Sequence, residues 1–295
     1  MNKVYRNPLA YLVFIIPTLF FYCTFYLYPL LSTLRYGFTD WDGLTAPAFN
    51  GLDNLMKAMG DEYFWTSVKN NLYFILFSVF VQVPVIVIFS VLISEVKKLR
   101  GFYKTTVFLP SILSTAVVGV LWSISVFDPT VGLLNKILDF TGLSSLTRLW
   151  LADESTAMLS ILLTNAWQWT GFYIVLVLAA IFGISKEIYE AAEIDGATGY
   201  QRALMITVPL IRPILGVIVL LSITGAMKAL DIVMVMTKGG PYGVTEVMAS
   251  YMYRIGFTSN DYGYANMIAI LIFVFTLIIT LFSNMLTKKL EDVEN

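Results

Sequence analysis

The residues of this chain whose types suggest chemistry lie inside long apolar runs. The stretch 165–172 reads Asn-Ala-Trp-Gln-Trp-Thr-Gly-Phe. On a helix Gln168 and Phe172 are four residues apart and share a face, and Trp169 lies beside them. Amides exchange hydrogen bonds with hydroxyl groups, and aromatic rings pack on apolar surfaces. Gln168, Trp169 and Phe172 are therefore predicted to contact a ligand rich in hydroxyl groups, such as a saccharide.

Two charged residues interrupt another apolar run. Lys228 and Asp231 are three residues apart, so a helix would place them on one face. Two interpretations remain open: the residues form an internal ion pair that fixes packing, or they offer a donor and an acceptor to a solute. Because Asp231 lies only six residues before Thr237, the charged ends could also reach a nearby polar surface.

Several kinds of chemistry are missing from the sequence. The chain has no histidine and one cysteine, Cys23, which removes the commonest metal ligand and general base and prevents an internal disulfide. It has no G-x-x-x-x-G-K-[ST] motif for nucleotide phosphates. Its net charge of −1 provides no basic surface for nucleic acid. We therefore expect no catalytic site, no metal and no cofactor.

The elements that carry these residues must be membrane-spanning helices. The chain has 295 residues, of which 58% are hydrophobic and 13% charged, and a mean hydropathy of +0.75. Apolar runs of about 20 residues match the thickness of a bilayer, and in lipid a helix satisfies its own backbone. The sequence predicts one all-α transmembrane domain over residues 1–295. Six spans are expected at about 10–31, 71–94, 107–127, 157–181, 207–236 and 264–286.

Membrane residence adds an alternative for the aromatic residues and an orientation for the chain. Tryptophan is enriched at membrane interfaces, so the indoles of the fourth span could form an aromatic belt. Positive charges are denser in one set of connecting segments, which predicts that both termini are cytoplasmic. The denser set contains Lys3, Arg6, Lys97, Lys98, Arg100, Lys104, Lys186, Arg202, Arg212, Lys288 and Lys289.

The polar segment 185–206 separates the fourth and fifth predicted spans. Ser185 is a suitable N-cap, and Gly196 stands where a helix would end in the left-handed conformation. A second short helix is predicted to start near Thr198. This helix–glycine–helix pattern with small residues would fit a groove in another protein, or it could be an amphipathic helix at the membrane surface.

Residues 190–213 resemble the EAA loop of the membrane subunits of binding-protein-dependent ABC importers. In that family this cytoplasmic loop docks on an ATPase subunit. Two positions depart from the family pattern, Ser185 for a frequent proline and Ala203 for a large aromatic residue. The matching residues are Glu190, Ala191, Ala192, Asp195, Gly196, Ala197, Ile206, Pro209 and Pro213.

Further motifs narrow the resemblance to the maltose-type permeases of sugar ABC importers, over about residues 100–287. The segment after the fifth span is similar to the T-x-G-G-P…T-E…Y…F…G-Y pattern of these permeases. The matching stretches are 108–110, 132–135, 167–168, 237–241, 245–246, 253–254, 257 and 261–264.

This resemblance implies a type I ABC importer permease in a bacterial or archaeal-type cell membrane, without an ATPase site of its own. It implies four kinds of partner: a second homologous permease, two ATP-binding subunits, an extracytoplasmic solute-binding protein and membrane lipid. The solute would be a sugar and an oligosaccharide is favoured, although Lys228 leaves an acidic saccharide or a sugar phosphate open. In this family the sugar site lies on the middle helices, which supports the residues predicted above.

Two other classes of protein are weaker alternatives. A self-sufficient secondary transporter would show inverted repeats with paired broken helices, or proton relays in its spans. The sequence shows neither repeats nor histidine. A membrane enzyme would need a nucleophile with a base or a metal cluster, and no such group of residues stands out.

Overall fold

The computed structural model describes residues 8–96 and 98–292, with side chains described for 12–96 and 98–285. The charges predicted to face the cytoplasm at Lys3, Arg6 and Lys97 lie outside the described residues, and only the backbone is described at Lys288 and Lys289. Over this part of the chain the regular structure is helical, apart from one isolated bridge between Thr39 and Phe49. The all-α prediction is confirmed.

Sixteen α-helices account for most of the described residues. The first eight are α1 Pro8–Tyr22, α2 Tyr28–Tyr36, α3 Asp53–Gly60, α4 Glu62–Phe77, α5 Val83–Glu95, α6 Arg100–Ile112, α7 Thr115–Ser125 and α8 Leu133–Phe140. The rest are α9 Ala157–Gly183, α10 Lys186–Ile194, α11 Gly199–Arg202, α12 Val208–Leu210, α13 Arg212–Met227, α14 Leu230–Met236, α15 Met248–Phe257 and α16 Tyr262–Asp292. A 3₁₀ turn covers Ser144–Leu146.

Three π-helical turns continue the axis from one α-helix to the next, at Cys23–Leu27, Ser78–Gln82 and Ala203–Thr207. Each ends two residues before a proline: Pro29, Pro84 and Pro209. A proline ring clashes with the carbonyl four residues earlier and removes one helical hydrogen bond. The wider π turn, with its i to i−5 bonds, moves that carbonyl aside and keeps the helix continuous.

Within the described part of the chain, four helices are long and apolar enough to cross a membrane, and two bent pairs bring the number to six if each pair counts as one span. The four are Leu12–Tyr36, Glu62–Glu95, Ala157–Gly183 and Tyr262–Met285. Four of the predicted spans fall on these helices, and the second lies within a much longer helix.

Neither of the remaining two predicted spans is a continuous helix. Within 107–127, α6 and α7 meet at 97° across Leu113 and Ser114. Within 207–236, α12 and α13 meet at 67°, and a second break at Lys228 and Ala229 separates α13 from α14. Hydropathy alone could not show these breaks, since each bent pair taken together is still apolar enough to be one span.

The chain folds as two compact units. The first combines residues up to 61 with residues 252–273. It contains an aromatic cluster in which the Trp41 ring lies 4.4 Å from the Tyr36 ring and 5.4 Å from the Tyr262 ring. Lys57 forms a 2.6 Å ion pair with Asp261 in the same unit.

The second unit, residues 62–251 with the chain from 274 onward, carries the predicted site. Its core lies where α5, α9 and α13 meet, with Ile86, Val177 and Ile218 fully buried. Helix α6 packs closely along α9 at Gly171, where a Cβ atom would overlap the carbonyl of Val107. A residue without a side chain is therefore required at this crossing.

The Gly171 contact gives a stability prediction. Gly171→Ala should lower the free energy of unfolding by about 1–3 kcal/mol, because the added methyl group forces α6 away from α9. The measurement is the thermal unfolding midpoint of the purified chain in detergent. Gly183→Ala is the matched control on the same helix, since no atom lies within 4 Å of its added Cβ. Equal midpoints for the two variants would contradict the close packing.

Candidate functional site

A cavity of about 330 Å³ lies in the second unit beside α9, and we call it the α9 cavity. Helix α9 provides its aromatic wall, the π turn Ser78–Gln82 a polar wall, and the break between α13 and α14 a charged wall. The polar and aromatic side chains that line it are Ser78, Gln82, Thr115, Asn165, Trp169, Phe172, Tyr173, Ser222, Lys228 and Asp231.

Two of the predicted residues form the aromatic wall. Trp169 and Phe172 are both partly buried, and their ring centroids are 6.3 Å apart with the rings nearly perpendicular at 89°. Neighbouring rings in this edge-to-face arrangement present both an aromatic face and an aromatic edge. The structure thus brings Trp169 and Phe172 together on the same cavity.

The predicted charged residues also face the α9 cavity, but they do not share a helix. Lys228 stands in the break after α13, while Asp231 lies in the first turn of α14, where the helix dipole favours a carboxylate. Both side chains are exposed. Among the described residues, no ion pair within 4.0 Å joins them or involves either one. Lys228 and Asp231 therefore line the cavity without an ion pair between them, although a continuous helix would place them on one face.

Gln168 does not line the cavity with the other predicted residues. Its side chain is only 1% exposed, and its Nε2 donates to the Leu113 carbonyl at 3.0 Å and to the Thr115 hydroxyl at 3.3 Å. Leu113 lies at the bend between α6 and α7, where its carbonyl has no helical partner. The Gln168 amide thus provides a hydrogen-bond donor to the backbone at the bend. Its Oε1 is buried and has no hydrogen-bond partner among the described residues.

Sequence reasoning missed part of the polar lining. Ser78, Gln82 and Ser222 are buried. Gln82 reaches across to α9, where its Nε2 lies 3.3 Å from the Thr170 hydroxyl. The sequence signal for such residues is a polar side chain within a predicted span. This signal does not show whether the side chain points into a cavity or into the packed core.

The segment 185–206 folds as the sequence predicts. Ser185 caps α10, and its hydroxyl accepts from the Glu187 N–H at 3.3 Å. Helix α10 ends in a Schellman motif: Gly196 has φ +77° and donates to Glu193, and the next N–H donates to the Ala192 carbonyl at 2.9 Å. The predicted positive φ of Gly196 is confirmed.

The second arm of this segment has a cap that sequence reasoning overlooked. Thr198 and Gln201 form a capping box at the start of α11, and this T-x-x-Q signal is readable from the sequence. The Tyr189 hydroxyl lies 3.0 Å from the Thr207 hydroxyl and ties the two arms together. The segment is therefore internally braced.

The surface of the segment is apolar as well as acidic. Glu190, Ala191, Asp195 and Gly196 are exposed, whereas Ala192 is buried beneath them. The same segment exposes Ile194 at 87%, Tyr200 at 76% and Met205 at 73%. Large apolar side chains exposed on a polar connecting segment are typical of a protein contact surface.

Three carboxylates in the connecting segments remain charged over a wide pH range. The N–H groups of Thr45 and then Leu44 donate to Asp42 and lower its pKa to about 2. The pKa of Asp128 is lowered chiefly by the Val131 N–H. In Asp153 the pKa is lowered by the hydroxyl and N–H of Ser155. These carboxylates act as turn-forming groups, because each one accepts hydrogen bonds from residues two or three positions ahead.

The helical fold, the α9 cavity and the braced 185–206 segment agree with one family. The chain belongs to the family described as the binding-protein-dependent transport system inner membrane component, whose model matches residues 58–292. It is therefore a multi-pass membrane permease of the ABC importer class, as residues 190–213 and the motifs near 237–264 predicted.

Individual relatives refine this membership. The chain is 33% identical to the probable ABC transporter permease protein YurN of Bacillus subtilis, over 94% of this chain and 96% of the relative. It is 31% identical to the trehalose/maltose transport system permease protein MalF of Thermococcus litoralis, over 95% and 93%. With the arabinooligosaccharides permease AraP of Bacillus subtilis it shares 28% identity, over 95% and 88%. The names of the last two relatives identify them as sugar permeases.

Solved structures agree with the fold. A chain in the crystal structure of a bacterial ABC transporter involved in the import of the acidic polysaccharide alginate matches with a TM-score of 0.85 and 26% identity, over 97% of both chains. A second structure of the bacterial alginate transporter, in complex with an alginate pentasaccharide-bound periplasmic protein, also has a TM-score of 0.85, with 25% identity over 98% and 96%. The type I permease fold is therefore confirmed.

The position of Gln168 predicts a loss of stability when it is changed. Gln168→Leu keeps the side-chain size but leaves the Leu113 carbonyl without its donor, so the free energy of unfolding should fall by about 1–3 kcal/mol. Thermal unfolding of the purified chain without solute measures this. Asn165→Leu is the control, because it removes an amide of the same helix from the cavity wall. If the control is destabilised as strongly, the bond at the bend is not the cause.

Proposed function

We propose that this chain forms half of the translocation pathway of a sugar importer and that the α9 cavity receives the solute. The observation that carries the proposal is the composition of the cavity wall. It combines the Trp169 and Phe172 rings with hydroxyl, amide, ammonium and carboxylate groups. Sugars have apolar ring faces bordered by hydroxyl groups, and this wall provides partners for both.

The preferred solute is a neutral oligosaccharide. Lys228 and Asp231 contribute opposite charges to the same wall, so together they offer hydrogen bonds without a net charge. The relatives that transport arabinooligosaccharides and trehalose or maltose agree with a neutral sugar. Gln168 was predicted to contact the solute directly. In this proposal it acts indirectly, because it supports the bend next to Thr115, which lines the cavity.

An acidic saccharide or a sugar phosphate is the second candidate, and one specific observation favours it. The ammonium group of Lys228 is exposed at the cavity and forms no ion pair among the described residues. It is therefore available to an anionic group on a solute. The structural relative that imports the acidic polysaccharide alginate supports the same possibility.

The energy for transport would enter through the 185–206 segment. We assign its exposed residues Glu190, Ala191, Asp195 and Gly196 to an ATPase contact, with Ala192 packed beneath them. Two ATP-binding subunits and a second homologous permease would complete the transporter, with a solute-binding protein on the opposite side of the membrane. A periplasmic protein bound to the structural relative supports this last partner.

The transport cycle follows from these assignments. Both termini and the 185–206 segment would be cytoplasmic, and residues 1–295 would form one transmembrane domain of the cell membrane. Closure of the ATPase pair would move the 185–206 segments of the two permeases and turn the helix bundles as rigid bodies. Family membership argues against the alternative of a self-sufficient secondary transporter.

The aromatic wall provides the test of the solute site. Trp169→Ala should lower uptake about 5- to 100-fold, because a lost stacking contact costs ~1–3 kcal/mol and 1.4 kcal/mol is roughly tenfold. Uptake into vesicles by the assembled transporter is measured, with neutral and acidic oligosaccharides as competitors to separate the two solute candidates. Trp167→Ala is the matched control, since Trp167 contacts Trp122 and does not line the α9 cavity. If Trp169→Ala and Trp167→Ala lower uptake equally, the solute does not bind in the α9 cavity.

The Schellman motif provides the test of the ATPase contact. Gly196→Val should strain the backbone, because β-branched residues avoid positive φ. Space is available, since nothing lies within 4 Å of an added Cβ, so the strain is purely conformational. Gly196→Asn, which tolerates this conformation, is the control. We expect Val and not Asn to reduce co-purification of the ATP-binding subunits or to uncouple ATP hydrolysis from uptake. Normal coupling in the Val variant would contradict the assignment.

A further inference from the structure

Helix α4 carries two adjacent buried amides, and one of them, Asn71, reaches the break in the fifth predicted span. Asn70 and Asn71 are buried, at 4% and 2% exposure. The Asn71 Nδ2 donates to the Ala226 carbonyl at 2.8 Å, and the Asn71 Oδ1 accepts from the Met248 N–H at 2.8 Å. Both bonds satisfy backbone groups at helix ends, since Ala226 is in the last turn of α13 and Met248 begins α15.

The Ala226 carbonyl has a second potential donor, which it does not use. In an uninterrupted helix it would accept from the Leu230 N–H four residues later. Instead, the Leu230 N–H donates to the Lys228 carbonyl at 2.8 Å. The amide of Asn71 thus stands in the place of the helical donor. A buried carbonyl needs one partner, and here a side chain supplies it.

The break determines where the two charges point. With the helix interrupted at Lys228 and Ala229, the side chains of Lys228 and Asp231 form no ion pair and both line the α9 cavity. A continuous helix would place them three residues apart on one face, within reach of each other. Mutual pairing would then occupy the groups that are needed for a solute.

We propose that Asn71 is a positioning residue that holds the fifth-span break open and so keeps Lys228 and Asp231 available to the solute. Its donor competes with the Leu230 N–H for the Ala226 carbonyl, and without it the helix closes through the break. The solute part of this statement rests on the function proposed above, whereas the geometry of the break does not.

Asn70 makes a different set of hydrogen bonds. A comparison of variants at positions 70 and 71 therefore distinguishes an effect on the break from a general loss of stability. Its Nδ2 donates to the carbonyls of Val244 and Glu246, at 2.9 and 2.8 Å, and among the described residues it makes no hydrogen bond to α13. Asn70 and Asn71 share helix, burial and side-chain type. Replacing each with Leu removes two hydrogen bonds in both cases, but only the change at Asn71 frees the Ala226 carbonyl.

A cysteine at position 228 reports the state of the break. Cys23 is the chain's one cysteine, so Cys23→Ser gives a background in which Lys228→Cys is the sole thiol. The assembled transporter in membrane vesicles is treated with a membrane-impermeant thiol reagent, with both membrane faces accessible. Because a thiolate beside a carboxylate is disfavoured, closure of the helix next to Asp231 should slow the reaction.

We expect Asn71→Leu to slow modification of the cysteine about tenfold, the scale of one lost hydrogen bond, and Asn70→Leu to leave the rate unchanged. With Lys228 intact, Asn71→Leu should raise the apparent KM for solute about tenfold more than Asn70→Leu does. Where Asn71→Leu fails to assemble, Asn71→Ser replaces it. Its hydroxyl is too short to reach the Ala226 carbonyl and can bond within α4.

The outcomes separate this inference from the proposed function. Equal thiol reactivity in the position 70 and position 71 variants overturns the positioning role. Slower modification in the position 71 variants alone supports it. If that change occurs but neither neutral nor acidic oligosaccharides are taken up by the unsubstituted transporter, Asn71 positions the break and the solute proposal fails.

Discussion

The structure depends on one constraint: a backbone carbonyl or N–H within the membrane must find its partner inside the protein. Water is absent from the hydrocarbon region, and an unpaired group there costs several kcal/mol. A continuous helix meets this requirement by itself. Every interruption needs a donor or an acceptor from elsewhere, and buried amide side chains supply one at two of the breaks in this chain.

The interruptions and the candidate site coincide. Gln168 serves the bend between α6 and α7, and Asn71 serves the break between α13 and α14. The α9 cavity lies beside both breaks, and residues from each line it, namely Thr115 after the bend and Lys228 within the break.

Much of this architecture could be predicted from the sequence. Apolar length located four of the six candidate spans as helices, and Ser185 and Gly196 marked both ends of α10. Trp169 and Phe172, which their residue types predicted as ligand contacts, both line the α9 cavity. These features depend on residues close together in the chain, where local geometry and type are sufficient.

The remainder depended on contacts between distant residues. Nothing near Gln168 in the sequence indicates that its amide would bond to Leu113, 55 residues away. The break at Lys228 is equally invisible in the sequence, because the amide that bonds to the Ala226 carbonyl belongs to Asn71, 155 residues away. Spacing rules assumed a continuous helix for Lys228 and Asp231, so they placed the two charges on one shared face.

The π turns change the direction in which later side chains of the same helix point. A π turn contains about one residue more than an α turn, so every side chain after it is rotated by roughly 100° relative to an uninterrupted helix. In the helix from Glu62 to Glu95, the turn Ser78–Gln82 therefore determines which stripe of α5 faces α9. An apolar pattern read with a constant period would lose register at this point. One extra residue and the proline that follows it thus decide which side of the helix meets protein and which meets lipid.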